Sequence, residues 1–413
     1  MRPPLVWLTL LLIGCGALGV PGDAPTHDDP PPPTDLDAES LFGGLELDAP
    51  AVPGPRQFAP PTSLRPCCAF GADLKVRVGP VPIPLSIGNV VDVDSLGRHR
   101  YDGGLVTVGN DVRAGFVATE NNGMIYTCRS GFIDMAHVRD YADWTVYLSR
   151  ALEPLVETGG VLELPEEAGH RLVYVTAVDG ETLDALGAGP LALEIAAWLA
   201  FQLSIWHEIA TWYGWSALAG FPETVSAFSP EDLYSNLAGI LMARAVLRDH
   251  PELSLEGFND AMDQAIHQGL HRVGALPEPL SRACAEAVDG AWWDSAYRLP
   301  AFDLVRRRNL DVGRELTPWL ATPYFDADLS AEIRRRCGTA NPTPLALPVP
   351  ERVGDVAIRD LARLDLRVTP GIASDFPFPD APRRWVDQDD FPAILSAVRH
   401  QVRTRFGDWG DHP

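Results

Sequence analysis

Positive charge is scarce in this 413-residue sequence, and lysine is almost absent, because Lys75 is its single lysine. Asp and Glu number 56 against 33 Lys and Arg, so the formal net charge is -23. A protein with such an excess of negative charge repels phosphate backbones. The composition therefore argues against nucleic acid as a partner.

Familiar catalytic motifs are missing as well. The chain contains no phosphate-binding loop and no dinucleotide fingerprint. A serine-hydrolase elbow would need a second glycine at the end of Gly214–Leu218, where leucine stands. The zincin motif would need a second histidine one turn after His207, and Thr211 occupies that position. No reaction can be assigned from a motif alone.

The N-terminus lacks an apolar run long enough to span a membrane. The run from Leu5 to Ile13 follows Arg2, whereas a membrane-spanning helix takes about 20 residues. It predicts a signal peptide over residues 1–15, whose end, Leu12–Cys15, resembles a lipobox. Cleavage before Cys15 would leave a cysteine that carries lipid, and Gly16 in place of Asp is typical of outer-membrane sorting. The alternative is an ordinary cleaved signal with a chance cysteine, and export follows from both.

Residues 16–60 are rich in Pro and acidic residues, including Pro30–Pro33, and cannot bury enough surface to fold alone. They predict an extended tether. Residues 61–413 are then expected to form a single domain. The expected location is the cell envelope, with the protein anchored by lipid to the outer membrane and facing the periplasm or the exterior.

Short segments rich in β-branched residues, separated by Gly, Pro, Asn and Asp, predict strands in the N-terminal part. They are Leu74–Val78, Val90–Val93, Leu105–Val108, Gly115–Ala118 and Met124–Thr127, followed by a hairpin of Val161–Leu164 and Leu172–Val178. Helices are predicted at about 133–152, 190–213, 230–248, 254–272, 277–297, 327–337 and 389–405. The fold class is thus α+β, with a mainly helical body (about 133–152 and 190–337), a smaller β-rich part (about 65–128 and 160–178) and an extended C-terminal region that includes Leu364–Val368.

The first predicted helix places His137, Tyr141, Trp144 and Leu148 on one face. Asp134 and Asp140 lie at the margins of that face. A polar strip is left only at Arg139, Asp143 and Arg150. We therefore expect His137 to lie inside the protein.

The second helix, 190–213, is apolar nearly all round, but Glu194, Gln202, His207 and Glu208 make it a poor membrane span. It is expected to be a central core helix. The third begins with a capping-box pattern at Ser229–Asp232. It places Asp232, Ser235, Asn236 and Gly239 along or near one side.

Two histidines and several acids on apolar helices suggest a metal site. His207 and Glu208, together with His137 and Asp134 or Asp140, would supply nitrogen and oxygen donors for a divalent metal such as zinc that activates water. His137, His207 and Glu208 are the predicted ligands, and all five residues are catalytic candidates. The alternative is that each histidine is a core residue hydrogen-bonded to a neighbouring group.

Five cysteines follow the lipobox, and their odd number leaves at least one unpaired thiol. They are the disulfide candidates Cys67, Cys68, Cys128, Cys284 and Cys337. Cys128 also stands where a strand gives way to a helix, and with His137 or His207 as base it would resemble the cysteine nucleophile of NlpC-type peptidases. A disulfide or an inert buried thiol is the alternative for Cys128.

A set of aromatic residues could line a saccharide or lipid groove, or simply fill the core. They are Trp206, Trp212, Tyr213, Trp215, Trp292 and Trp293.

Four blocks, in order, resemble an uncharacterised bacterial lipoprotein family known only as a domain of unknown function. They are Arg65–Gly71, Tyr126–Trp144, His207–Gly214 and Phe228–Asn236. The resemblance covers most of the chain from about residue 62 and implies an envelope lipoprotein, without implying an activity or catalytic residues.

Two functions remain open at this stage. The first is a hydrolase of an envelope substrate, assisted by a metal. The second is a non-enzymatic lipoprotein that binds or scaffolds another envelope component, either a protein or a polysaccharide. In both, the membrane is a partner through the lipid anchor.

Overall fold

The computed structural model describes residues 57–413 except 64, 66–68, 79–80, 105–119, 217–221, 379–384, 409 and 412–413, and before residue 57 only positions 37, 44, 45 and 47. The predicted signal peptide, Cys15 and nearly all of the tether therefore lie outside the described residues. The same holds for Cys67, Cys68 and the strands predicted at Leu105–Val108 and Gly115–Ala118.

The described part of the chain is mainly helical, with several small sheets, and this confirms the α+β class. Its α-helices are α1 (Met135–Thr158), α2 (Gly180–Leu186), α3 (Ala188–Trp212), α4 (Asp232–Asp249), α5 (Leu255–Arg272), α6 (Glu278–Ala287), α7 (Ala327–Cys337), α8 (Ile358–Leu361), α9 (Pro370–Ala373) and α10 (Phe391–Phe406). Short 3₁₀ turns occur at Val93–Ser95, Phe302–Leu304 and Thr322–Tyr324.

The strands form hairpins and one larger sheet. They are β1 (Leu74–Val78), β2 (Val81–Ile87), β3 (Met124–Thr127), β4 (Gly131–Asp134), β5 (Gly160–Leu164), β6 (Gly169–Val175), β7 (Glu315–Leu316), β8 (Leu347–Pro348), β9 (Arg352–Val353), β10 (Val356–Ala357), β11 (Ala362–Val368) and β12 (Trp385–Asp387).

The largest sheet has four strands in the order β12-β11-β6-β5, with all neighbours antiparallel. Its β5–β6 pair is the hairpin predicted from the sequence. The C-terminal strand β11 pairs along the whole of β6, from Val368 opposite Gly169 to Ala362 opposite Val175. Alternate β11 residues, including Leu364 and Leu366, are buried, as expected for a sheet with one face against the core.

Helices α1, α3 and α4 form the centre of the protein, and α1 packs against both of the others. The carboxylate of Asp134 caps α1 by accepting a hydrogen bond from the backbone N–H of Ala136 at 2.7 Å. Helix α1 continues past its predicted end, through Pro154, and stops at Gly159, where φ is +67°. Neighbouring elements cover helix α1 on nearly every side, and His137 is therefore buried, as predicted.

The polar strip predicted on α1 is wrong for two of its three members. Arg139 and Asp143 are 0% and 1% exposed. Arg139 donates to the carbonyl oxygens of Leu96 and Gly97 at 3.0 and 2.9 Å. An irregular N-terminal segment therefore covers this side of the helix, and its polar backbone groups satisfy the buried charges.

Helix α3 is long and apolar enough to cross a membrane, but 72% of its most apolar window is buried inside the protein. This matches the predicted core helix, since its neighbours are other parts of the same chain. Helix α4 begins at Asp232, slightly later than the capping pattern suggests. The Asp232 carboxylate accepts a hydrogen bond from the N–H of Ser229 at 2.8 Å and so closes the preceding turn.

The helix predicted at 277–297 is wrong in its C-terminal half. Helix α6 ends at Ala287 because a turn follows that contains Gly290 at φ +77°. The chain then carries Trp292 and Trp293 into a second apolar core beside Phe70 and Phe132. The main apolar core is separate and combines α1, α3, α4, α5, α10 and the inner face of the large sheet.

Candidate functional site

His137 lies in the first turn of α1 and faces α4. Its Nδ1 is 2.8 Å from Oδ1 of Asn236, and its Nε2 is 3.2 Å from Oδ1 of Asp232. An amide oxygen can only accept a hydrogen bond, so the proton belongs on Nδ1 of His137. In a neutral imidazole the lone pair of Nε2 is then directed towards Asp232.

Glu208 on α3 completes a group of three. Single ligand atoms of His137, Glu208 and Asp232 all lie within 4.8 Å of one another, and all three residues are buried. Oε2 of Glu208 accepts a hydrogen bond from the N–H of Phe228 at 2.6 Å. Three different helices therefore direct one nitrogen and two carboxylates to a common point.

A glycine allows α4 to approach α1 closely enough for this arrangement. A Cβ atom on Gly239 would stand 2.0 Å from the carbonyl oxygen of Val138. Any side chain at this position would therefore push the helices apart. The predicted helix face of Asp232, Asn236 and Gly239 is the face that meets α1, so close packing and placement of the polar residues depend on the same contact.

Buried carboxylate oxygens around this group lack hydrogen bonds. Among the residues that the structure describes, Oδ1 of Asp232, Oδ2 of Asp134 and both side-chain oxygens of Glu231 have no hydrogen-bond partner. Burial of a charged carboxylate is costly unless it is paired. Burial, together with repulsion from Asp232, raises the pKa of Glu208 to about 7 and also raises the pKa of Glu231 well above its usual range. Without a cation, Glu208 and Glu231 therefore keep their protons to a higher pH than ordinary carboxyl groups do.

The spacing of His137 and Asp232 fits a divalent cation. Ligand atoms about 2.1 Å from a metal in tetrahedral or octahedral coordination are roughly 3.0–3.4 Å apart, and the 3.2 Å between His137 Nε2 and Asp232 Oδ1 lies in that range. This oxygen accepts no hydrogen bond from the imidazole despite the short distance. A shared cation between the two atoms would satisfy both.

The predicted metal ligand His207 takes a different position. Its Nδ1 is 2.6 Å from Oε1 of Glu167, and Oε2 of Glu167 is 2.6 Å from Nη1 of Arg171. Although burial opposes it, the Glu167 carboxylate raises the pKa of His207 to about 9. Of the predicted ligands, the structure thus brings His137 and Glu208 together, and Asp232 stands where His207 was expected.

A cavity of about 270 Å³ adjoins the cluster, and His137 forms part of its wall. Its other walls come from the α1 face predicted to be buried, from the turn between β5 and β6, and from Pro61, Thr62, Ser63 and Arg65. Residues that define it include His137, Tyr141, Trp144, Glu167, His207 and Trp215. His137 therefore borders a space that a small molecule or a segment of a polymer can enter, whereas Glu208 and Asp232 lie behind it and do not line the cavity.

Asp134 and Asp140, the predicted supporting carboxylates, occupy separate places. Asp134 is the N-cap of α1 and keeps one oxygen unbonded beside the cluster. Asp140 pairs with Arg65 at 2.7 Å, and Arg65 also binds Glu120 and Asp143 at 2.7 and 2.9 Å. Asp140 therefore acts as a counter-ion at the cavity wall.

The sequence places Asp232 and Asn236 on one helix face but indicates no ligand role for either, and Glu167 was not among the predicted site residues. The capping pattern at Ser229–Asp232 accounts for Asp232 as part of a helix start. Nothing in that pattern indicates the second contact of Asp232, which is with His137. Asn236, one turn further along α4, gave a signal through that spacing. Glu167 gave none, because only the folded hairpin brings its tip to His207.

Three of the candidate cysteines lie among the described residues, and none of them belongs to the group of His137, Glu208 and Asp232. Cys128 forms a disulfide with Cys337, so in this state it is not a nucleophile. Cys284 is buried with a free thiol, and burial raises the pKa of that thiol. Among the aromatic candidates, Trp206, Trp292 and Trp293 are buried in the core, whereas Trp215 lines the cavity.

Comparison with known proteins adds a family but no activity. A family model described as a protein of unknown function, DUF4056, matches residues 55–322, which is more than half of the chain. No curated protein and no solved structure matches.

Proposed function

The chain belongs to the DUF4056 family, whose function is unknown, and from the geometry of its site we propose that it is a metal-dependent hydrolase of the cell envelope. The observation that carries this proposal is the convergence of His137, Glu208 and Asp232 beside a cavity, with buried carboxylate oxygens left without hydrogen bonds. A fully bonded cluster would have favoured a purely architectural role.

One imidazole nitrogen and two carboxylates suit Zn²⁺, Mn²⁺ or Fe²⁺. The hydrogen bond from His137 to Asn236 is the kind of outer contact that orients a metal-binding imidazole. Three protein ligands would leave a coordination position open, as in catalytic sites. A bound cation would supply Lewis acidity and activate water for attack.

The charge of the cavity favours an uncharged substrate. Its lining carries five carboxylates, namely Asp140, Asp143, Glu166, Glu167 and Glu223, against Arg65, Arg171 and the protonated His207, so the acids are in excess. Both arginines are already paired with carboxylates, Arg65 with Asp140 and Asp143, and Arg171 with Glu167. A phosphate ester would meet net negative charge here, so a neutral acyl or glycosidic bond is the better substrate.

The aromatic walls support the same substrate class. Trp144 and Trp215 border the cavity, and flat rings offer stacking surfaces to sugars and to peptide side chains. The guanidinium of Arg171 lies 5.0 Å from the centre of the Trp144 ring and fixes that ring in place. His207, held by Glu167, faces the same space and can hold a proton there.

The cellular address rests on the N-terminal sequence. The predicted signal peptide, the lipobox at Cys15 and the resemblance to bacterial lipoproteins favour a lipid-anchored envelope protein. The Cys128–Cys337 disulfide supports export, because disulfides persist in oxidising compartments. An envelope polymer, a glycan or its peptide, is then the substrate that the protein would meet.

The test starts with metal content. The purified protein is equilibrated separately with Zn²⁺, Mn²⁺ and Fe²⁺, dialysed and analysed for bound metal, and then assayed on neutral esters, peptides and glycans beside phosphate esters. We expect one metal per chain and turnover of a neutral substrate, both lost in Asp232→Asn and retained in the control Asp328→Asn, an exposed acid on α7 that does not line the cavity. Absence of stoichiometric metal with all three cations would overturn the proposal and favour the non-enzymatic alternative, in which the cluster fixes helix packing.

A further inference from the structure

A second cavity, larger than the first, lies against the middle of α3. Its volume is about 470 Å³, within the range of roughly 300–1,000 Å³ that ligand pockets occupy. It shares no lining residue with the cavity beside His137. The proposed hydrolase activity makes no use of it.

The floor of this cavity is apolar. Trp198, Phe201 and Ile205 contribute from α3, and Phe391 contributes from the start of α10. These side chains belong to the main core and are between 1% and 7% exposed. A hydrocarbon chain laid on this floor would be stabilised by removal of apolar surface from water, at about 25 cal/mol per Å².

The rim of this cavity carries a net positive charge, whereas the first cavity carries a net negative charge. Arg314, Arg352 and Arg359 line it together with Glu351 and Asp389, so three arginines and two acids leave one positive charge in a protein whose net charge is -23.

The two acids are already engaged. Arg314 pairs with Glu351 at 2.5 Å, and Arg359 pairs with Asp389 at 3.1 Å. Arg352 donates to the backbone carbonyl oxygen of Asp355 and, among the described residues, has no carboxylate partner. Its guanidinium therefore has donors to offer to an incoming anion.

We propose that this cavity binds an amphiphilic anion, a carboxylate that carries an apolar chain. The chain lies on the floor formed by Trp198, Phe201 and Phe391, and the carboxylate pairs with Arg352 at the rim. Arginine suits this role because its guanidinium is always charged and matches a carboxylate with two parallel hydrogen bonds.

Calorimetric titration of the full chain with three probes tests the head group and the chain separately. Decanoate has both, decyltrimethylammonium has the same chain with a cationic head, and acetate has the head alone. We expect saturable binding of one decanoate and no saturable binding of the other two. Equal binding of decanoate and the cationic detergent would overturn the proposal, and so would the absence of decanoate binding.

Two variants locate the site. Arg352→Gln should weaken decanoate binding by about fivefold or more, because it removes a charge-assisted hydrogen bond. The control Arg334→Gln, an exposed arginine on α7, should leave binding unchanged. Ala357→Trp, at the half-buried rim, should block the chain and abolish binding. Equal affinities of Arg352→Gln and Arg334→Gln, or undiminished binding by Ala357→Trp, would refute this location.

Discussion

Replacement of Asp232 by asparagine distinguishes a metal site from an architectural network, because the two alternatives predict opposite changes in the free energy of unfolding. Asparagine keeps the shape of the side chain, and its amide oxygen can still accept the hydrogen bond from the N–H of Ser229, which is 2.8 Å in the native protein. What the substitution removes is one negative charge beside Glu208 and one anionic ligand for a cation.

The structure sets the size of the effect without metal. The ligand oxygens of Glu208 and Asp232 lie within 4.8 Å of each other, and two unit charges at that distance repel by about 3.5 kcal/mol at an effective dielectric constant near 20. Below about pH 7 Glu208 escapes part of this repulsion by retaining its proton, and above that pH the repulsion acts in full. With a chelator present, Asp232→Asn should therefore unfold with a free energy equal to or higher than that of the native protein.

With metal present the order should reverse. A cation at about 100 times its dissociation constant stabilises a protein that binds it only when folded by about 2.7 kcal/mol. The native protein should gain this increment, and Asp232→Asn should not.

Urea unfolding followed by tryptophan fluorescence, with chelator and with zinc, measures all four free energies at a pH above 7, where Glu208 is ionised. Asp140→Asn is the control, since its partner is Arg65, and it should keep the zinc increment. The reasoning fails if zinc does not stabilise the native protein and Asp232→Asn is destabilised under both conditions.

Four further predictions concern the cluster and the cavity beside it. The pKa of Glu208 rises from 4.5 to about 7 on folding, so the free energy of unfolding of the metal-free protein should fall as the pH rises between these two values. In Glu208→Gln this pH dependence of the free energy of unfolding should be absent. The stabilising contribution of His207 should be complete below 6.5 and lost as pH rises through about 9, a loss absent from His207→Gln. Gly239→Ala should lower the free energy of unfolding by about 1–3 kcal/mol through overpacking, whereas Gly180→Ala, with no atom near its added Cβ, should not; equal effects would contradict the close helix contact. Asn236→Ala should weaken metal affinity about 10–100-fold through loss of imidazole orientation, and unchanged affinity by metal titration would exclude that role.

Local patterns predicted much of the secondary structure. Strand β3 and helix α7 have the bounds expected from turn residues and apolar spacing, and the β5–β6 hairpin follows its polar turn. These elements are readable because capping, turn chemistry and periodicity act within a few residues of the chain. The predicted C-terminal end of α6 was too late for a local reason as well. Apolar residues continue at helical spacing past the turn that contains Gly290.

Periodicity was less reliable where irregular segments cover a helix. Arg139 and Asp143 read as a solvent-exposed strip, yet residues near 96–102 and Arg65 enclose them. A helical pattern reports which side is apolar, and it carries no information about a loop that supplies polar partners to the other side.

By itself, the sequence determined that His137 lies inside, that α3 is an apolar core helix and that a face of α4 carries Asp232 and Asn236. Only the tertiary structure decided that these three helices meet at one point, with Asp232 beside His137 and Glu208, while His207 turns to Glu167. Hydrophobic spacing sets the face that a helix buries, but the partner of that face depends on close packing over long sequence separations. Here that packing depends on the contact of Gly239 with the backbone of α1.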